Sequence, residues 1–343
     1  MVTVADIAKV AGVSPSTVSR VVSRKAPVSE ETRLRVERAI KETGYRPNLL
    51  ARSLRLKSGN LIGLVVPGLQ GRGSSFFLSC IQEATYELGF NLIVGISRND
   101  VDIEADLVDN YIRNHIAGVI LSRVSDKSRV IEILEDANVP FVVIDRAFEH
   151  ESVPKVVLNN YRAGELAARH LAGLGHVKIG CISGDLSIPL CRERLNGFHD
   201  ELARHGIALA DEDVFIGDFG YDSGRTGVQH FVERGTSLSA IWAQNDFMAI
   251  GAIWELQSRG IRVPEDLSVV GMDDMDVARM IHPELTTIKQ PFDDIARAAV
   301  NKIAKMREIA DRPRLGDDEE AEEIHDEVIS PSLILRRSTA ATS

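Results

Sequence analysis

The 343-residue sequence predicts two unlike parts: a small N-terminal all-α helix-turn-helix headpiece and a larger α/β body of two lobes. Three observations predict this. Charge is uneven: residues 1–59 hold twelve Lys/Arg against five Asp/Glu, a balance of +7, while the remainder holds 28 against 45, a balance of −17. A basic module joined to an acidic body is the footprint of a nucleic-acid contact confined to one end. The first 45 residues contain three short helical patterns punctuated by glycine and serine. Beyond residue 60, β-branched runs alternate with helical patterns, as in chains that build parallel sheets covered by helices. No apolar run approaches the roughly 18–20 residues that span a bilayer. "MVTVADIAKV" lacks the basic start and apolar core of a signal peptide, so a cytoplasmic protein without membrane partners is expected. Cys80, Cys181 and Cys191 have no metal-type spacing and read as reduced packing residues.

In the headpiece, Thr3 with Asp6 three residues on signals a helix start, and Ile7, Ala8 and Ala11 give that helix an apolar face until Gly12 breaks it. Ser14 can cap a second helix, roughly Pro15–Ser23, with proline at the first position, where its missing N–H costs nothing. Val18, Val21 and Val22 then face inward, and Ser16, Thr17, Ser19 and Arg20 face outward. A third helix starts at Ser29 and stops at Gly44. Two short helices around a glycine turn, braced by a third, present the second helix to a DNA major groove.

"TVADIAKVAGVSPSTVSRVVS" followed by "VSEETRLRVERAIKETGYRPNLLARSLR" closely resembles the headpiece of the lactose-repressor/galactose-repressor (LacI/GalR) family of transcription regulators. The resemblance assigns Pro15, Ser16 and Arg20 to base-reading positions. Arg20 has the bidentate geometry that suits guanine O6 and N7, and Ser14, Thr17 and Ser19 suit phosphates, which position without specifying sequence. Residues 47–60 form a linker with about two turns of possible helix, too short to be stable alone in water. In the resembling family this hinge pairs in the minor groove, its wedging leucine matching Leu54, with Arg52 and Arg55 near the phosphates. An inserted apolar wedge unstacks and bends the DNA.

In the body, "LIGLVV", "NLIVGI", "AGVILS", "PFVVID", "VKIGCIS", "SAIWA", "LSVVGM" and "LTTIKQ" read as strands, and a break at "NNYRAGELAARHL" separates two lobes. "VVPGLQGRGSSFF" ends a strand in Gly68, Gly71 and Gly73, but not in the order G-x-G-x-x-G that cradles a pyrophosphate. "GCISGD" misses a nucleophile elbow by one position, and the nine histidines form no H-E-x-x-H pair. No enzyme chemistry and no cofactor are expected. There is no repeat of solenoid type.

The body resembles the effector domain of the same family, similar to type I periplasmic binding proteins, with lobes closing over a small molecule. The resemblance implies boundaries at 1–46 (headpiece), 47–60 (hinge) and 61–343. The first lobe is then about 61–160 with 291–322, and the second about 161–290 with 323–343. The glycine loop becomes one wall of the cleft, with Ser74, Ser75 and Phe76 as candidate contacts. "VIDRAF" supplies Asp145 and Arg146, "CRERLNGF" Arg194, "GDFGYDSG" Phe219, "AIWAQNDF" Asn245, "SVVGMDDMD" Asp273 and "LTTIKQPF" Gln290. Ser122 is a further candidate, and Arg98 and Arg123 are weaker ones. Asp246 reads as a helix cap. Carboxylates, an amide and a guanidinium around an aromatic ring suit polyol recognition. The expectation is a repressor that binds a palindromic DNA operator as a homodimer, under control of a sugar, sugar acid, sugar phosphate or nucleobase. The closing "LILRRSTAATS" lacks the heptads of a tetramer-forming coiled coil.

Overall fold

The computed structural model describes residues 2–23, 28–45, 59–68, 72–122, 127–145, 153–311 and 325–342. It divides into two compact units, Met1–Gly59 and Asn60–Ser343.

In the first unit, α1 (Val4–Ala11), α2 (Pro15–Ser23) and α3 (Glu30–Thr43) follow one another. The expected start signal of α1 is a complete capping box: the Thr3 side chain accepts from the Asp6 N–H, and the Asp6 carboxylate accepts from the Thr3 N–H at 2.9 Å. Gly12 ends α1 in the left-handed region at φ 62°, which glycine adopts without strain. Ile7, Ala8, Ala11, Val18, Val36 and Ala39 form a small core, with Val21 and Val22 packed against it.

The second unit contains two six-stranded sheets. In the first, β1 (Leu61–Val66), β2 (Asn91–Ile96), β3 (Gly118–Leu121), β4 (Phe141–Ile144), β5 (Lys155–Leu158) and β11 (Glu327–Ile329) are ordered β11-β5-β4-β3-β1-β2 and all parallel. The second orders β7 (Val214–Ile216), β6 (Ile179–Ser183), β8 (Ala240–Ala243), β9 (Ser268–Asp273), β10 (Thr286–Lys289) and β12 (Ser332–Ile334) side by side, with only the β10–β12 pair antiparallel. Both faces of each sheet are covered, so most strands are buried on both sides and read as continuous apolar runs. On the first sheet, α4 (Arg72–Glu87) and α12 (Phe292–Asp311) cover the face of Ile62, Leu64 and Ile120. The face of Val65, Val119 and Val143 packs against α5 (Val101–Arg113) and α6 (Val130–Asp136). On the second sheet, α7 (Asn160–Gly173) and α8 (Pro189–Arg204) cover the side of Cys181 and Trp242. There Phe198 stacks on Trp242 at 4.6 Å between ring centres. The opposite side, with Ile182, Ile241 and Val269, packs against α9 (Tyr221–Glu233) and α10 (Asp246–Ser258); a short α11 (Val277–Met280) follows β9.

The chain crosses between sheets three times: between β5 and α7, between β10 and α12, and between β11 and β12. The third crossing corrects the expectation that residues 323–343 belong wholly to the second lobe. Glu327–Ile329 pairs with Val156–Leu158 in the first sheet, so the return lies between Ile329 and Ser332. The break expected at 159–171 falls at the first of these crossings, where the chain leaves β5 at Leu158 and enters α7 at Asn160. Cys80, Cys181 and Cys191 are buried, and none of them is in a disulfide.

Candidate functional site

On the headpiece, α2 presents one face. Pro15, Ser16, Ser19 and Arg20 are exposed, Thr17 is half-buried and Val18 is fully buried. Ser14 caps the helix by accepting from the Thr17 N–H at 3.1 Å, and its hydroxyl also meets those of Ser16 and Thr17 at 2.7 and 2.8 Å. Ser14 is therefore largely occupied in starting the helix. Arg20 follows Ser16 by four residues, about one turn, on the same exposed face. Arg52, Leu54 and Arg55 lie outside the described residues, as do Arg123 and Arg146; for Ser74 only the backbone, within α4, is described.

In the body, the carboxyl ends of the strands bring the remaining candidates together, where open α/β sheets place their ligand sites. Asp145 follows β4, Ser122 follows β3, Asp273 ends β9, and Gln290 follows β10, its N–H 3.4 Å from the Asp273 carbonyl. Several of these residues have left-handed backbones: Asp145 (φ 59°), Phe219 (φ 67°), Asp273 (φ 114°) and Arg98 (φ 56°). Positive φ on residues bearing a β-carbon is strain, and its clustering at the mouths of the strands points to a site rather than to folding need.

The charges cooperate across the lobes. Burial pushes the Asp273 carboxyl up to about 7; Arg194 opposes that shift and Asp145 adds to it. Asp145 follows a strand of the first sheet, Asp273 ends a strand of the second and Arg194 lies on α8 of that second lobe, so groups of both lobes act on the Asp273 carboxyl. Ser122 is buried and donates to the Asp145 carboxylate at 3.2 Å, orienting it. Phe219 lies over the end of β6, where a β-carbon on Gly184 would come within 2.3 Å of its ring, so only glycine admits the ring there. Phe76 sits at the start of α4, 43% exposed, its ring edge-on to Phe292 at 5.8 Å beside the second crossing. Ser75, next to it, is exposed.

Two roles differ from the expected ones. Asp246 is not the cap of α10. Asn245 is: its Oδ1 accepts from the Met248 N–H at 2.8 Å, while its Nδ2 donates to the Phe219 carbonyl at 2.8 Å. That leaves Asn245 holding the aromatic wall in place, with one N–H and one lone pair over. Asp246 is fully buried, accepting from the Thr287 hydroxyl at 2.6 Å and the Met275 N–H at 2.8 Å. Burial and nearby Asp273 hold its carboxyl well above the usual range. The sequence reading also missed two residues that hold Arg194. Its Nε donates to Asn160 Oδ1 at 2.9 Å and its Nη1 to the Gln244 carbonyl at 3.0 Å. Gln244 in turn fixes its own side chain between the Gly184 N–H and the Cys191 carbonyl. A separate shallow apolar cavity of about 220 Å³, lined by Val228, Phe231 and Leu267 among others, lies toward the opposite ends of the strands and gathers no comparable polar cluster.

A helix-turn-helix unit with an exposed second helix, joined to two parallel-sheet lobes with a polar cleft, defines a class: DNA-binding regulators that carry a periplasmic-binding-protein-like domain. Comparison narrows it. A sequence model of bacterial regulatory proteins of the lacI family matches residues 3–48, and one of a periplasmic binding protein-like domain matches residues 168–339. The HTH-type transcriptional regulator AscG of Escherichia coli (strain K12) is 34% identical over 309 residues, covering 89% of this chain and 92% of AscG. A structure of the lac repressor dimer bound to operator and the anti-inducer ONPF superposes with a TM-score of 0.84 at 31% identity, covering 99% of both chains. The transcriptional regulator CelR in complex with cellobiose gives a TM-score of 0.73 at 29% identity, over 98% of this chain and 100% of that one. The chain belongs to the LacI family of transcriptional regulators. Among the described residues no helix is long and apolar enough to cross a membrane, and no cluster of His, Cys, Asp and Glu could hold a metal ion.

Proposed function

We propose that this regulator is a cytoplasmic repressor that binds a palindromic operator as a homodimer and responds to a polyhydroxylated small molecule in the interlobe cleft: a sugar, sugar acid or sugar phosphate. One observation carries the effector reading. Asp145 from one lobe and Arg194 from the other both act on the Asp273 carboxyl at the mouth of the strands, and the Phe219 ring lies over Gly184 at the end of β6. A hydroxyl both donates and accepts, so a carboxylate and a guanidinium facing across a cleft are bridged best by a ligand rich in hydroxyls. The ring covers a sugar's apolar face. A structure of the similar transcriptional regulator CelR is that of its complex with cellobiose, a molecule of this kind. Ser74, Ser75, Gln290 and Arg146 complete the proposed lining.

Homodimer formation is supported by exposed apolar side chains on both lobes. Ile93, Val94 and Ile96 lie on the edge strand β2, Tyr86 is close by on α4, and Trp254 and Met280 belong to the second lobe. An apolar edge strand is a liability unless another surface covers it. The lac repressor structure is that of a dimer on operator.

Thermal melting against glucose, gluconate, glucose 6-phosphate and hypoxanthine tests the effector class. A ligand at a hundred times its Kd adds about 2.7 kcal/mol to stability. A shift with any of the first three supports the reading; a shift with hypoxanthine alone overturns the carbohydrate class. Footprinting tests the other end. Arg20→Ala should cut the preference for specific over non-specific DNA by roughly tenfold or more, the worth of one bidentate base contact. An unchanged ratio removes Arg20 from base reading.

A further inference from the structure

Arg194 is tied to the joint between the lobes by one side chain. Asn160 is the first residue of α7, buried, and bonded at both ends of its amide. Its Oδ1 accepts from Arg194 Nε at 2.9 Å, and its Nδ2 donates to the carbonyl of Leu158 at 3.2 Å. Leu158 is the last residue of β5, so those three residues are the place where the chain leaves the first sheet for the second. The residue between them, Asn159, donates its N–H at 2.8 Å to the carbonyl of Ile329, the last residue of β11. Two of the three crossings therefore meet at this point, and Arg194 is bonded into it.

The connection has little slack. α7 and α8 touch backbone to backbone: a β-carbon on Gly164 would lie 2.0 Å from the Arg194 carbonyl oxygen, and one on Gly197 would lie 2.0 Å from that of Tyr161. The main chain of Arg194 is thus seated on α7 itself. A displacement of the guanidinium has to be taken up by the Asn160 amide or by the first turn of α7. The other partner of Arg194, the Gln244 carbonyl, is braced by the Gln244 side chain and yields less readily.

We propose that Asn160 is a positioning residue through which the cleft acts on the crossing between the lobes: one amide holds Arg194 toward the effector and Leu158 at the joint, so a ligand that draws on the guanidinium shifts the joint. The inference rests on the cleft being the effector site. It differs from a plain structural role in one respect. A structural Asn160 stabilises the turn whatever stands at 194, whereas a transmitting one makes the joint sensitive to 194.

The test is hydrogen exchange followed by mass spectrometry on the full-length, ligand-free protein, comparing wild type with Arg194→Met, Asn160→Ala and the double variant. Methionine is chosen because the sister helix pair carries Met248 at the corresponding seat. Arg194→Met should speed exchange at residues 156–159 and 328–329 by roughly threefold or more, the change expected when a local opening loses a hydrogen bond. In the Asn160→Ala background the same substitution should add nothing. Asn160→Asp separates the two halves of the amide, since it keeps an acceptor for Arg194 and loses the donor to Leu158. Its crossing should exchange as in Asn160→Ala and be deaf to Arg194→Met. Unchanged exchange at the crossing in Arg194→Met, or simple additivity in the double variant, overturns the proposal. Either result stands apart from the melting panel: a sugar that stabilises a protein without the coupling leaves the effector reading intact, and a coupling without any ligand leaves only the joint.

Discussion

The second sheet carries a helix pair on each face, and the two pairs are built alike. In one, Gly164 and Gly197 let α7 and α8 meet at their backbones; in the other, Gly224 and Gly251 do the same for α9 and α10, each added β-carbon falling 2.0 Å from a carbonyl oxygen. The sequences echo one another: Tyr161-x-x-Gly164 with Tyr221-x-x-Gly224, and Gly197-x-x-x-Glu201 with Gly251-x-x-x-Glu255. The glutamates are both buried and both paired with arginines, Glu201 with Arg169 and Arg204, Glu255 with Arg225 and Arg259. The difference lies in the residue whose carbonyl faces the first glycine. In one pair it is Arg194, polar and bonded to Asn160; in the other it is Met248, wholly buried among apolar neighbours. The crossing is therefore architecture shared by both faces, and the arginine–asparagine link is an addition on one of them.

The crossing itself is where substitution should cost most. Gly197→Ala and Gly251→Ala each force a β-carbon into main chain, which cannot rotate away, so each should lower stability by about 3 kcal/mol, the upper part of the overpacking range. Denaturant titration of the two variants checks this. Similar losses support the equivalence of the pairs; tolerance at one of them breaks it.

The polar link should show a different signature. Arg194→Met leaves the buried Asn160 oxygen without its donor and should cost about 1–3 kcal/mol, whereas Arg194→Met with Asn160→Leu should recover part of that loss, because neither partner is then left unsatisfied. If the double variant is no better than the single one, the link is not a self-contained addition to the crossing. Arg194 also restrains Asp273. Because the folded Asp273 carboxyl sits at about 7, above its ordinary value of 3.8, its ionisation is disfavoured in the fold. Stability of the ligand-free protein is full below pH 4 on this account and falls as pH rises toward 7. Asp273→Asn should flatten that slope in melting curves, and Arg194→Met should extend it to higher pH.

Much of this was legible in the sequence where the signals are local. The bounds of α2 follow from Ser14 and Pro15, and the central strands from β-branched runs that are buried on both faces. The parts that were not legible depend on distant partners. β5, β7, β11 and β12 are three or four residues long, with charged or exposed positions such as Lys155 and Glu327, and only their pairing makes them strands. Asn245 and Asp246 are both able caps, and what separates them is Thr287 and the Met275 N–H closing over Asp246 from other elements. Asn160 stood in "NNYRAG" beside the actual cap, Asn159, and nothing local marks which asparagine is buried against an arginine. The paired glycine crossings did leave a trace, the repeated Tyr-x-x-Gly and Gly-x-x-x-Glu, but the two copies are unequally spaced and so show no fixed period.

The outer glutamates give the smallest and finest test of the comparison. Arg169 and Arg204 hold the Glu201 carboxyl down at about 2 against its burial. For Glu255, burial pushes the other way but is outweighed by bonds from Gln229, Arg259 and Arg225, so its carboxyl too lies below the usual range. The arginines on Glu201 are about half exposed, at 49% and 55%, so solvent screens them and Glu201→Gln should cost only about 1 kcal/mol, as should Glu255→Gln. The pH dependence separates this from a packing effect. A lowered folded pKa contributes stability above the ordinary carboxylate value of 4.5 and loses it as pH falls through the folded value. Wild type and Glu201→Gln should therefore differ in melting temperature at neutral pH and converge only as pH approaches 2. Convergence already near pH 4 would mean that the arginines do little for Glu201, and that burial of the methylenes is what the two helix pairs share at this position.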